Sequence, residues 1–450
     1  MLAEPLTLSY AAPWGHTATG PSGPARALPQ ARERDGRSVM AFPRRARRLW
    51  AYWRAEQRTL RQGFFALLLS SGGDLLAGLA LGFMTDSLQR LPGLIVLIPA
   101  AIGMRGNIFG ALGSRLGTGM LSGQFEPSMK RSGFLGQNVA AATFLTLSTS
   151  LFLGAAARVV SVGFGLTSIS AWDFVVISIL GGVLGSVVVG SASIGIAIWS
   201  QRRAWDLDSV SAPLVTAIGD IATLPALWAA SYLVQIRFLT VGVGIAAALV
   251  CLGATVRGFV TDLPITRRVV RESVPVLFAA GLVDILAGTV LEARIERFIA
   301  FPALLILVPP FLEDTNALSG ILSSRLASKL HLGVIEPKPF PEPLAWVDIS
   351  INFLFSLSVF FLVGLSAEIV SDLTGRASPG LPTMLGISLT AGFLATIVSS
   401  AVAYYTAAAA YRFGFDPDNY GIPIGSSVMD LAGTLCLVAA ILVFGVNAHG

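Results

Sequence analysis

The chain has 450 residues; 54% are hydrophobic and only 13% are charged, with a mean hydropathy of +0.72. Soluble domains carry about 25% charged residues, so an ordinary soluble domain is excluded. What remains is an all-α polytopic membrane protein with the lipid bilayer as its partner. The alternation of apolar and polar residues that a β-barrel needs is missing. The net charge of +5 is no nucleic-acid signal, because the basic residues cluster at the ends of apolar runs.

In chain order, residues 1–62 come first. They are rich in Pro, Gly, Ala and Arg, lack the apolar core of a signal peptide, and are expected to be disordered. The stretch FPRRARRLWAYWRAEQRTLRQG (42–63) is basic and aromatic, as suits a cytoplasmic segment lying against anionic headgroups. Met40 is an alternative start to Met1. Apolar runs then predict spans at about 63–88, 91–119, 131–161, 171–200 and 209–235, each long enough for a ~30 Å hydrocarbon core. A further span follows at 238–256, and five more at about 273–297, 300–328, 345–371, 381–411 and 419–446. Cys251 and Cys436 lie in apolar runs and read as buried thiols, with no metal or redox pattern around them. His16, His331 and His449 have no partners in the pattern.

The second set of spans repeats the first. GGDLLAG (72–78) recurs as LVDILAG (282–288), and LPGLIVLIP (91–99) as FPALLILVP (301–309). Ser114-Arg115-Leu116 recurs as Ser324-Arg325-Leu326, and Glu126-Pro127 as Glu336-Pro337. DSVSAPLVTAIGDIAT (208–223) matches DNYGIPIGSSVMDLAG (418–433), always 210 positions apart. The domains are therefore the segment 1–62, a five-helix repeat at 63–235, a linker helix at 236–258 and a second repeat at 259–450. Five is odd, so the linker helix restores a common orientation, giving about eleven spans and a pseudo-two-fold axis along the membrane normal.

Basic residues sort the loops. The N-terminus, Lys130-Arg131, Arg202-Arg203, the cluster Arg257/Arg267/Arg268/Arg271, Lys329, Lys338 and Arg412 share one side, which the positive-inside rule makes cytoplasmic. Arg90, Arg158, Arg237, Arg294, Arg297 and Arg376 are scattered on the other. The N-terminus is then inside and the C-terminus outside a plasma membrane. Trp172 and Trp199 bracket the fourth span as interface anchors.

The chemistry sits in the fifth and second spans of each repeat. Pro213, Thr216 and Asp220 fall at i, i+3 and i+7, one helix face over two turns, and Pro423, Ser426 and Asp430 repeat that face. Each carboxylate has a hydroxyl one turn away, and each proline can kink the helix and free a carbonyl. Asp208 and Asp418 read as N-caps. The second spans hold six glycines with Arg105 and Asn107 (99–119), and Glu313, Asp314 and Asn316 (309–327). Such segments are expected to carry irregular backbone lining a polar cavity. Carbonyls, amide oxygens and carboxylates are hard ligands suited to Mg²⁺, Ca²⁺ or Mn²⁺.

If Asp220 and Asp430 meet on the axis, two like charges persist in low dielectric only with a divalent cation between them. Mg²⁺ keeps most of its water, so the pair would grip its hydration shell. Asp74 and Asp284 fit pore lining or packing equally. Asn107 and Asn316 fit ligation or interhelical hydrogen bonding, and align only after a one-residue slip. Arg105 is expected to pair with an acid or to snorkel, and Arg115 and Arg325 to mark cytoplasmic helix ends.

The paired blocks PAAIGMRGN…SRL with DSVSAPLVTAIGD, and PPFLEDTN…SRL with DPDNYGIPIGSSVMD, resemble the MgtE magnesium channels. They resemble still more closely the tandem magnesium transporters of solute carrier family 41, over about residues 63–450. The resemblance implies a Mg²⁺-selective pore on the symmetry axis, lined by the second and fifth helices of each half. It puts Asp220 and Asp430 at the ion-binding acidic position and Asn107 at the motif's Asn. It also implies a monomer in which two repeats stand in for a homodimer. Arg105 departs from the small residue of the motif, LEDTN is more acidic than usual, and residues 1–62 are too short for a cytoplasmic gating domain of the MgtE kind. The expected function is transport of a divalent cation, Mg²⁺ before Mn²⁺, Co²⁺ or Ca²⁺. No enzymatic step or cofactor is called for, and the ion is cargo. A Na⁺- or proton-coupled exchanger is the alternative within transport. A membrane-embedded enzyme would need a nucleophile–base set that the sequence does not offer, and a scaffold would not need the acids.

Overall fold

In lipid every backbone N–H and C=O must find a partner within the chain, and the long apolar runs meet this demand as helices. The computed structural model describes residues 57–203, 207–235, 237–413 and 422–446, and among them are thirteen α-helices and no strand. The first half contains α1 (Gln57–Phe83), α2 (Thr85–Arg90), α3 (Leu97–Leu121), α4 (Phe134–Gly163), α5 (Ala171–Arg203) and α6 (Leu207–Ser231). The linker is α7 (Arg237–Val260). The second half contains α8 (Pro264–Glu292), α9 (Ile295–Ala300), α10 (Pro302–His331), α11 (Pro343–Leu373), α12 (Leu381–Phe413) and α13 (Ile422–Val443).

Nine helices among the described residues are long and apolar enough to cross a membrane, against the eleven expected. The other two are α1, whose side chains are described mainly from Leu67 onward, and α10. The latter carries Glu313, Asp314, Arg325 and Lys329, too many charges for a lipid-facing span. Yet Pro302–Leu312 is buried throughout. Helix α10 is an inner element, screened from lipid by its neighbours.

Several boundaries differ from expectation. The span at 63–88 starts earlier, at Gln57, and breaks at Met84, where the Thr85 hydroxyl donates to the Gly82 carbonyl at 2.8 Å. The span at 273–297 breaks likewise after Glu292 and starts nine residues early, so Arg267, Arg268 and Arg271 lie on the first turns of α8 and not in a loop. The glycine-rich α3 and the proline-containing α10 are uninterrupted helices, so the irregular backbone expected there is absent. Pro423 lies in the first turn of α13, where a missing N–H breaks nothing; it does not kink the helix. Asp208 falls inside the first turn of α6, not at its cap. The readings of residues 1–56, of Asp418 as a cap, and of the side chains of Asp208 and Pro213 lie outside what is described.

Details of geometry recur at the 210-residue offset. Gly123 and Gly333 (φ +71° and +67°), like Gly165 and Gly375 (+69° and +65°), adopt the left-handed conformation that ends a helix. The Ser178 hydroxyl donates to the Ser150 carbonyl at 2.7 Å, and that of Ser388 to the Phe360 carbonyl at 2.6 Å. Packing is reciprocal. Helix α1 lies against α10 and α6, while its counterpart α8 lies against α3 and α13. Each first helix thus seats on the second helix of the other half. The crossings are glycines on backbone: a Cβ on Gly78 would sit 2.1 Å from the Ile306 carbonyl oxygen, and one on Gly288 would sit 2.4 Å from that of Val96. Helix α7 packs on α4 and α5, with Ser148 and Thr255 hydroxyls 2.8 Å apart.

Candidate functional site

The exchange of first helices carries acidic residues to the centre. Asp74 (α1), Asp220 (α6), Asp284 (α8), Asp314 (α10) and Asp430 (α13) are buried, and Glu313 (α10) lies among them. No carboxylate oxygen of Asp74, Asp220 or Asp284 makes a hydrogen bond of good geometry, although Asp74 and Asp220 approach each other and Asp284 approaches Ser427. Buried polar atoms are almost always well satisfied, so three poorly partnered carboxylates in one region call for an explanation beyond packing.

The six acids form two groups. Asp74 lies within interaction distance of Asp220, Glu313 and Asp314, and the Ser71 hydroxyl is 2.7 Å from both oxygens of Asp314. Asp430 lies near Asp284 and accepts a 2.8 Å hydrogen bond from the Asn316 amide. The second group meets the backbone of α3 at Gly103, where a Cβ would sit 3.0 Å from an Asp284 oxygen and 3.7 Å from one of Asp430. Gly103 is the repeat counterpart of Glu313. The first group therefore has a carboxylate where the second has a bare backbone, and Glu313 interacts with Asp220 and Asp430 alike.

A cavity of about 550 Å³ leads to this centre. Helix α3 lines it with Gly103, Gly106, Asn107, Gly110, Ser114 and Arg115; α8 adds Ser273, Val276 and Leu277. Glu313 and Asn316 come from α10, Pro423, Ser426 and Asp430 from α13, and Thr216 from α6. A Cβ on Gly106 or Gly110 would meet nothing within 4 Å. These glycines keep the cavity wide rather than letting helices touch. Six waters at about 30 Å³ each occupy roughly 200 Å³, so a hydrated cation fits.

The cavity thus gathers Asp430, Glu313, Asn107, Asn316, Thr216 and Ser426. Asp220, Asp74, Asp284 and Asp314 are not on its wall. Asp220 and Asp430 interact electrostatically, but Asp220 interacts more strongly with Glu313 and Asp74. Among the described residues no three His, Cys, Asp or Glu side chains converge in metal-ligating geometry.

Arg105 departs from expectation, while Arg115 and Arg325 lie in the last two turns of α3 and α10. Arg105 neither meets an acid nor snorkels; it donates to the Ala101 and Gly181 carbonyls at 2.8 and 3.3 Å. Arg115 donates to the Asn138 side chain at 2.9 Å. Arg325, its counterpart, pairs with Asp348 at 3.0 Å, and Lys329 joins it at 2.5 Å. Both arginines turn inward because the third helix of each half offers a polar group at the matching position, 138 or 348, which the repeat alignment contains but which helix patterning alone does not put in contact with them. The cavity-lining Gly106, Gly110, Ser114 and Ser273 were not singled out individually. The spacing 103, 106, 110, 114 along one helix face is the signal that would have found them.

Two conserved-length stretches of the chain, residues 98–230 and 308–440, match the MgtE family, described as divalent cation transporter. Both ends of the two matches are 210 residues apart. The chain belongs to the MgtE family of divalent cation transporters, a family of transporters and not of enzymes. Among curated proteins it is similar to solute carrier family 41 member 3 of Rattus norvegicus, 23% identical over 414 residues, covering 84% of this chain and 85% of that one. It is likewise similar to solute carrier family 41 member 2 of Gallus gallus, 23% identical, covering 82% and 68%. A solved structure, the eukaryotic MATE transporter AtDTX14, aligns over 87% of this chain and 96% of that one at 13% identity with a TM-score of 0.29, which carries no structural argument.

Proposed function

We propose that this chain moves Mg²⁺ across the plasma membrane as a monomer, its two repeats in parallel orientation about an axis along the membrane normal. The observation that carries the reading is the cavity ending on Asp430, Glu313 and Asn316, with Asn107, Thr216 and Ser426 on its walls. Hard oxygen groups at that spacing hold a hydrated divalent cation through its water shell. Its lining includes Ser114, Arg115, Ser273 and Pro423, in the halves of α3, α8 and α13 nearer the basic loops, and we read this state as open to the cytoplasm. Asp220 and Asp74 lie beyond it, as the next acidic stage of the path.

The test is Mg²⁺ uptake into proteoliposomes with Mn²⁺, Co²⁺ and Ca²⁺ as competitors. Asp430→Asn is expected to lower flux at least tenfold, and Asp220→Asn combined with Asp430→Asn to abolish it. Unchanged flux in the double variant would remove the ion path from these residues. A coupled exchanger is a second reading, favoured by one observation. Six carboxylates exceed the charge of one divalent cation, leaving sites for Na⁺ or protons. Running the same assay with and without Na⁺ and pH gradients separates the two.

A further inference from the structure

Arg105 is an anomaly that the cation path does not use. It stands at the middle of α3 and is only 5% exposed. Gly103 and Asn107, two residues to either side, face the cation cavity; a two-residue step on a helix turns by about 200°, so Arg105 faces away from it, between α4 and α5. No acid among the described residues pairs with it. Its two hydrogen bonds go to main-chain carbonyls, and its Nε–H has no partner. A guanidinium at membrane depth without a counter-charge is costly.

Beside it is a small separate cavity of about 10 Å³, room for one water-sized occupant. Hydroxyls surround it. The Thr149 and Ser178 protons are committed to the Leu145 and Ser150 carbonyls. Thr146 and Ser186 share one bond at 3.2 Å, which leaves one of their protons free. The Ser150 hydroxyl donates to nothing, and it approaches Arg105 Nη2 where both crowd the missing Cβ of Gly182. Three donors therefore converge on the cavity: Arg105 Nε–H, Ser150 O–H and one hydroxyl of the Thr146–Ser186 pair.

The second half serves as an internal control. At the 210-residue offset Arg105 becomes Thr315, Thr149 becomes Val359, Ser150 becomes Phe360 and Gly185 becomes Ala395. There Phe360 fills the space, its ring 4.9 Å from that of Phe311. Arg105 and the Thr149 and Ser150 hydroxyls are present together in one half and absent together in the other. Thr146–Ser186 and Ser178, which serve helix packing, persist in both as Ser356–Thr396 and Ser388.

We propose that this cavity is a buried site for a small monatomic anion, a halide such as chloride, held by Arg105, Ser150 and the Thr146–Ser186 pair. A water would satisfy the donors and leave the charge; a halide does both. A halide is larger than this cavity, so its binding requires the unbranched Met104 side chain on the wall to shift.

The test is thermal unfolding of the purified full chain in potassium chloride, bromide or gluconate at equal ionic strength. The expected result is an upward, saturable shift in Tm with chloride and bromide over gluconate, since a ligand of the native state stabilises it by mass action. Bromide is expected to give an anomalous scattering peak beside Arg105. Arg105→Thr with Thr149→Val and Ser150→Phe, which copies the second half, should lose the halide shift. Equal unfolding in chloride and gluconate, or bromide crystals with no peak in the cavity, would overturn the site and leave it to water. A halide shift that survives the triple variant would place the anion elsewhere and equally overturn it.

Discussion

Arg115 and Arg325 occupy equivalent positions with unequal company. Arg325 and Lys329 share the buried carboxylate of Asp348, whose side chain is 0% exposed, whereas Arg115 on the cavity wall meets only the neutral Asn138. Removing one partner of a buried ion pair costs about 3–5 kcal/mol. Asp348→Asn is therefore expected to lower unfolding stability by that amount, measured by thermal or denaturant unfolding in detergent. Asn138→Asp adds a partner for Arg115 and is expected to leave stability unchanged or raise it. Under the proposed path it also removes a net positive charge from the cavity wall, and Mg²⁺ flux should rise. At this scale the carboxylates and the two asparagines were legible in the sequence, since a charge at membrane depth announces itself. Their grouping was not. Asp220 and Asp430 are twins in sequence, but Asp220 interacts more strongly with Asp74 than with Asp430, because partnership is set by which helices the bundle brings together.

Among the elements, glycines do two opposite jobs. Gly78 and Gly288 let helices cross on bare backbone, where an added methyl would strike a carbonyl oxygen. Overpacking of this kind costs about 1–3 kcal/mol, so Gly78→Ala and Gly288→Ala are each expected to lower Tm and the yield of folded protein. Gly106 and Gly110 face open space. Alanine there meets no neighbour, so stability should hold while flux falls as the cavity narrows. Measuring both quantities on all four variants separates the jobs. Helix existence and length were readable from apolar runs, as α5 and α12 show at almost their expected bounds. The breaks at Met84 and after Glu292 were not, because hydrophobicity continues across them and the local hydrogen bonding of Thr85 decides. Glycine density in α3 misled in the other direction, toward irregular backbone, because glycine weakens a helix in water more than in lipid.

For the whole molecule, the proposed parallel orientation of the halves would put the loops at 122–133 and 332–342 on one face of the membrane. In a background with Cys251 and Cys436 replaced by Ala, Ser128→Cys and Lys338→Cys are expected to react with an impermeant maleimide from the cytoplasmic side only. Labelling of the two from opposite sides would invert one half. The duplication itself was plain from a fixed 210-residue offset, and the structure repeats it down to single hydrogen bonds. What a repeated sequence leaves open is whether each first helix docks within its own half or in the other. Both give the same pattern of apolar faces, and the choice lies in the Gly78–Ile306 and Gly288–Val96 crossings.

That swap has an evolutionary corollary. Two separate copies of one gene product, clasped in this way, must carry the same amino acid at both twin positions, whatever each position would prefer. Once joined in a single polypeptide they are released from that identity. Glycine at 103 and glutamate at 313, arginine at 105 and threonine at 315, are differences that a symmetric pair of identical chains could not hold, and they make the two halves dissimilar.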